Sequence, residues 1–263
     1  MNHSNIIINK SVKQFTQLQS TFSTQKLASS SPTTTASSTI PQCHSEQEKI
    51  DKIIVVSRFN EDVSWLAIHF PHIKHVVYEK QDLTAPYHVE KNYGQEASAF
   101  LRYIIDHYDK LPNYMAFVHA HRSSWHIKDI VPILKHLYWG KYEYVSLNPD
   151  KFTYHSAGNQ NYDRVKKYWS HLFEESFGKM PPVIYNWCCA SFVVSRERVL
   201  RNSKSFYEKI YHWIMNSGVD SFWTSRVLEH TWGFIFHHGN LEKNPISSLC
   251  DITDCLAFNG TSN

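Results

Sequence analysis

Lys52-Ile53-Ile54-Val55-Val56-Ser57-Arg58 is followed at once by Phe59-Asn60-Glu61-Asp62, and this change of character decides the fold. The first stretch is β-branched and apolar on both faces of an extended chain, as a strand covered on both sides must be. The polar residues that follow mark its carboxyl end. A second run, His75-Val76-Val77-Tyr78-Glu79, comes after a gap long enough for a crossover through Val63–Phe70, so the opening reads as a βαβ-like unit with parallel strands.

Outward from this unit, Ala97, Phe100, Leu101, Ile104, Ile105 and Tyr108 form one apolar face of a helix expected over Gln95–Tyr108. Asn92 with Gln95 resembles a capping box at its start. Leu111-Pro112-Asn113 closes the segment before a strand over Tyr114–His119. Helices are expected over Pro132–Tyr138, Tyr162–Phe177, Phe206–Asn216 and Asp220–His237, and one strand-like run over Val183–Val194. The expected fold is α/β. A single domain over residues 46–240 has a mostly parallel central sheet flanked by helices, C-terminal helices and a tail over 241–263.

Residues 1–45 are of another kind. They are dense in Ser and Thr and carry too little apolar surface to offset the entropy of ordering. Their only charges are Lys10, Lys13 and Lys26, and they contain no arginine, so both an organellar transit peptide and a plain flexible tail stay open. These three lysines account for the formal charge of +3; the remaining 24 basic residues balance 24 acidic ones. A neutral domain lacks the basic excess that a nucleic-acid surface needs. No apolar run approaches the ~20 residues that span a bilayer. Five cysteines, two of them adjacent, make a poor disulfide framework, so reduced thiols in a soluble intracellular protein are expected, with Cys250 and Cys255 able to pair or to serve as soft ligands.

Four polar clusters could carry chemistry. Arg58, Asn60, Glu61 and Asp62 lie just beyond a strand end, where α/β sheets bind ligands, and suit a sugar, a ribose or a metal-bridged phosphate. Asn60 or Asp62 as a helix cap is the competing reading. Asn92, Gly94 and Glu96 sit at a helix start, which favours an anion, although Glu96 there is also ordinary helix electrostatics. His119 and His121 share one side of a strand end, and His126 folds back as a third nitrogen for zinc or another first-row metal. Glu229 and Trp232 share a helix face, where an acid and an aromatic platform suit sugar binding or general-base work. Cys188 and Cys189 are nucleophile candidates without a base placed by the sequence.

The ordered series Val56-Ser57-Arg58-Phe59-Asn60-Glu61-Asp62, Asn92-Tyr93-Gly94-Gln95-Glu96, Phe100-Leu101-Arg102-Tyr103-Ile104-Ile105, Cys188-Cys189-Ala190-Ser191-Phe192 and Glu229-His230-Thr231-Trp232 resembles the family DUF3431 over about residues 52–238. Its plan is in turn similar to GT-A nucleotide-sugar glycosyltransferases, with Rossmann-like architecture. That resemblance implies a nucleotide-sugar donor near Arg58–Asp62, an acceptor near His121–His126, and Glu229 and Asp62 as catalytic carboxylates. Gln95 stands where the family usually has Arg, and His119 where it commonly has an amide. The Asp-x-Asp metal motif of GT-A enzymes is missing, which leaves a divalent metal cofactor open. Two other functions remain: a non-catalytic carbohydrate- or small-molecule-binding domain, and a metal-dependent hydrolase built on His119, His121 and His126.

Overall fold

The structure, a computed structural model, describes residues 51–240 and 246–255. The Ser/Thr-rich leader and part of the tail lie outside the described residues. In chain order the elements are β1 (Lys52–Arg58), α1 (Ser64–His69), β2 (Lys74–Glu79), α2 (Gln95–His107), β3 (Tyr114–His119), α3 (Ile130–His136), β4 (Tyr144–Ser146), β5 (Phe152–Ser156), α4 (Gln160–Leu172), α5 (Glu174–Phe177), β6 (Val183–Trp187), β7 (Phe192–Ser195), α6 (Arg196–Val199), α7 (Lys204–Asn216), α8 (Ser221–Glu229), α9 (Trp232–His237) and α10 (Leu249–Ile252).

The main sheet has the order β2-β1-β3-β7-β4, and β5 and β6 form a separate two-stranded sheet. The β1–β2 and β1–β3 pairs are parallel, as the βαβ opening predicts, with Val55 opposite Val76 on one side and Phe117 on the other. The expectation of a mostly parallel sheet is corrected by β7, which runs antiparallel to both β3 and β4. The pair β5–β6 is antiparallel too. The direction of a strand is set by the path the chain takes to reach it, and the apolar run Val183–Val194 contains a reversal that hydrophobicity does not register. Cys189 (φ 82°) and Ala190 (φ 45°) both adopt left-handed backbone, breaking the run into β6 and β7 and sending them to different sheets.

Alternation along the central strands puts two cores on the two faces of the main sheet. Val55, Tyr78, Met115, Phe117, Phe192 and Val194 pack with α2, α4, α7, α8 and α9 in the larger core. Ile54, Val56, Ala116, Val118 and Val193 face the smaller one with Trp65 and Leu66 of α1 and Ile130, Val131 and Leu134 of α3. The expected helix over Asp220–His237 is divided at His230-Thr231, where the Thr231 hydroxyl donates to the Val227 carbonyl at 2.8 Å. The capping box at the start of α2 is also corrected. Gly94 is the N-cap, in left-handed backbone at φ 67°, with no side chain capping it. A Cβ there would lie 2.5 Å from Ile214 Cγ2, so both conformation and space require glycine.

Candidate functional site

Polar residues gather at the carboxyl ends of β1, β2 and β3. The Arg58 guanidinium, at the end of β1, donates to Glu79 Oε1 at the end of β2 (2.7 Å) and to the Glu61 carbonyl (2.7 Å). Glu61 turns its carboxylate back onto the chain, accepting the N–H groups of Phe59 (2.8 Å) and Asn60 (3.1 Å). Burial pushes its pKa up, but those N–H groups outweigh burial and hold it below the usual carboxylate range. Lys80 follows β2 directly and is buried; its ammonium donates to the Gln95 carbonyl at 2.5 Å. That carbonyl is reached because Gln95 (φ 46°) and Gly94 (φ 67°) turn consecutively through left-handed backbone.

Burial is the largest influence on Lys80 and lowers its pKa to about 8, although Glu96 and Glu61 pull the other way. The unfolded chain, with an ordinary lysine, therefore binds more protons between about pH 8 and 10.5. This group makes stability rise with pH through that window, until the buried tyrosines, whose hydroxyls are pushed up by burial, oppose it near their unfolded pKa of about 10. Urea unfolding at several pH values between about 7.5 and 9.5 should show the rise in the wild type and a flatter profile in Lys80→Met. Equal slopes would mean that Lys80 is not buried as a cation.

The end of β3 supplies the three histidines. The rings of His119 and His121 stack with centroids 4.9 Å apart, and His126 folds back to 5.8 and 6.3 Å from them. His126 is depressed to about 4 by burial and then by the other two rings, and His121 is lowered by burial and by His119. His121 Nε2 and both ring nitrogens of His126 are buried without a partner among the described residues. The hollow that the rings line holds only about 10 Å³, no more than one water. Beside it a cleft of about 750 Å³ runs from His126 past Lys128, Asp129 and Asn148 to Ser248, roomy enough for a sugar-sized ligand.

The β6–β7 reversal ties this ring cluster to α8. His119 Nε2 is 3.1 Å from the Cys189 carbonyl, and the Cys189 N–H donates to Glu229 Oε1 at 3.1 Å. Glu229 is buried and its other oxygen pairs with Arg226. A carboxylate reached by a strained backbone N–H on one oxygen and a guanidinium on the other is held in one orientation with lone pairs to spare. The sulfurs of Cys250 and Cys255, the pair expected to be able to bond, are in bonding contact, and Cys188 and Cys189 lie side by side at the reversal.

Other expected site residues fall elsewhere. Asp62 is exposed and accepts from the Ser64 N–H (2.9 Å) and hydroxyl (2.8 Å), serving the start of α1. Asn60 and Asn92 are exposed, whereas Gly94 and Glu96 are buried at the start of α2. Trp232 is a correction. It is 1% exposed, in the core between Phe192 and Phe236, and offers no ring face to a ligand. Lys80 was missed, although its position just past an apolar strand is where such a crevice is lined.

A hard divalent cation fits this site poorly. Among the described residues, the ligand atoms that lie within 4.8 Å of one another belong to Cys188, Cys189 and Glu229. A hard cation needs several oxygen ligands, and the one carboxylate in that group, Glu229, already holds the Cys189 N–H and Arg226. No helix in the described residues is long and apolar enough to cross a membrane. A family model described as "Protein of unknown function (DUF3431)" matches residues 53–252. No curated protein matches the chain.

Proposed function

The chain belongs to the DUF3431 family, whose description carries no activity, and we propose from its own residues that it is a glycosyltransferase-like enzyme that uses a nucleotide-sugar donor. The observation that carries the reading is Glu229, a buried carboxylate fixed by the Cys189 N–H and Arg226 beside the carboxyl ends of the parallel strands. In this reading Glu229 takes the proton from an acceptor hydroxyl as it attacks the anomeric carbon. Arg58 and Lys80 face the departing nucleotide phosphates, and the cleft beside His126 holds the acceptor. The chemistry asked of the protein is charge stabilisation and positioning, and no step passes through a metal.

The similarity to GT-A enzymes is part of the same proposal. It is supported by the parallel β2-β1-β3 portion of the sheet and by the polar crevice at its carboxyl edge. Asp62, exposed and occupied with Ser64, keeps at most an outer contact with the donor.

The test is a thermal-shift panel of nucleotide sugars on the full chain, followed by assay of the binder for transfer. One nucleotide sugar that stabilises the fold and is consumed supports the reading; a panel without any shift removes it. A glycan that binds and is never altered would make the protein a carbohydrate-binding domain. The unpartnered nitrogens of His121 and His126 favour one other reading, a metal-dependent hydrolase. Elemental analysis without stoichiometric metal would dispose of it.

A further inference from the structure

A second polar cluster lies on the other side of Glu229, between α4 and α8. Arg164 of α4 lies with its guanidinium carbon 3.9 Å from the Trp223 ring centroid, and Arg226 of α8 with its own 4.9 Å from that of Phe222. Both rings are about two-fifths exposed, so the guanidiniums are propped at the surface on aromatic faces. Arg164 donates to Asn161 Oδ1 at 3.2 Å and makes no ion pair among the described residues. Arg226 has Glu229 as its one carboxylate. Arg226 thus has one carboxylate and Arg164 none among the described residues, and each guanidinium carries five donors, most of which these contacts leave unused.

The wall behind them is neutral and also underused. His155 and His230 meet edge to face with centroids 4.8 Å apart, and Asn186 Nδ2 lies 3.2 Å from His230 Nδ1. Both ring nitrogens of His155, His230 Nε2 and Asn186 Oδ1 are buried with no partner among the described residues. Burial, then His155, Arg226 and Arg164, hold His230 down to about 3, so the ring is uncharged at neutral pH and leaves the excess positive charge on the arginines. Like charges placed together at a partly desolvated surface oppose each other, and Arg164 is lowered by burial and then by Arg226.

We propose that Arg164 and Arg226, propped on Trp223 and Phe222 beside His155 and His230, form a binding site for the phosphate of a phosphomonoester ligand. A phosphate brings a charge of about −1.5 to −2 and three acceptor oxygens, which matches two forked guanidiniums of which only Arg226 has a carboxylate partner among the described residues. The site stands whether or not a sugar is transferred at Glu229.

The test measures melting temperature of the full chain in inorganic phosphate and in a sugar monophosphate, against chloride at the same ionic strength. Phosphate should stabilise the wild type, with binding weakened about 10- to 100-fold in Arg164→Met. Arg164→Lys keeps the charge without the fork and should fall between the two. A sugar monophosphate that binds more tightly than phosphate identifies the ester as the ligand class; equal binding identifies the free ion. Stabilisation by phosphate no greater than by chloride, or unchanged in both Arg164 variants, overturns the site.

Discussion

Trp232→Ala should lower the unfolding free energy by about 3–5 kcal/mol, the range for removing a buried tryptophan. The side chain is 1% exposed and lies parallel to Phe236, with ring planes 4° apart and centroids at 5.7 Å. Its other neighbour is Phe192 of β7, at 5.5 Å. Truncation therefore opens a cavity between α9 and the antiparallel strand, in the larger core. Surrounding rings such as Tyr144, Phe192 and Phe236 already pack on one another and have little freedom to fill it. For a domain of this size the melting temperature should fall by about 6–20 °C. An unchanged melting temperature together with lost glycan binding would restore Trp232 as a ligand platform and contradict its burial.

Glu229→Gln should reduce sugar transfer by about 10²–10⁴-fold while leaving the fold nearly as stable. The amide keeps an oxygen for the Cys189 N–H, and Arg226, about a third exposed, can hydrate when its carboxylate partner is gone. What the amide cannot do is accept a proton. The loss should appear in kcat with little change in KM for the donor, because Glu229 acts on the acceptor hydroxyl in the transition state. Transfer by a folded Glu229→Gln protein at the wild-type rate would remove Glu229 as the base.

The parts of the fold that the sequence made plain are those whose signal is local. Strands β1 and β3 fall where their apolar runs begin and end, and α2 follows its continuous apolar face. Strand β4, three residues long, and β5, with the exposed Tyr154 at its centre, are too short or too polar to stand out from loops. The antiparallel direction of β7 depends on two left-handed residues, Cys189 and Ala190, neither of which is a glycine that would have announced a turn. For the candidate site, residues just past the strand ends were legible because topology puts them in the crevice. Lys80 and the Cys189 N–H were not, since their importance comes from contacts made across 15 and 40 residues of sequence. Trp232 misled for a related reason. Helical spacing placed it beside Glu229, but the break at His230-Thr231 turns α9 inward.

The position of β7 also orders events on the ribosome. The trio β2-β1-β3 can assemble once residue 119 has emerged, because its pairings are close in sequence. Its next neighbour is made only at residues 192–195, and β4, synthesised earlier, can join the sheet only through that late strand. Throughout the intervening synthesis the edge of Tyr114–Phe117 offers unpaired N–H and C=O groups to any passing extended chain, and its long closure slows the final step. A nascent chain stalled before residue 192 is thus a half-sheet with a sticky margin. The antiparallel strand that seals it makes the C-terminal half of the protein the guardian of the N-terminal half against aggregation.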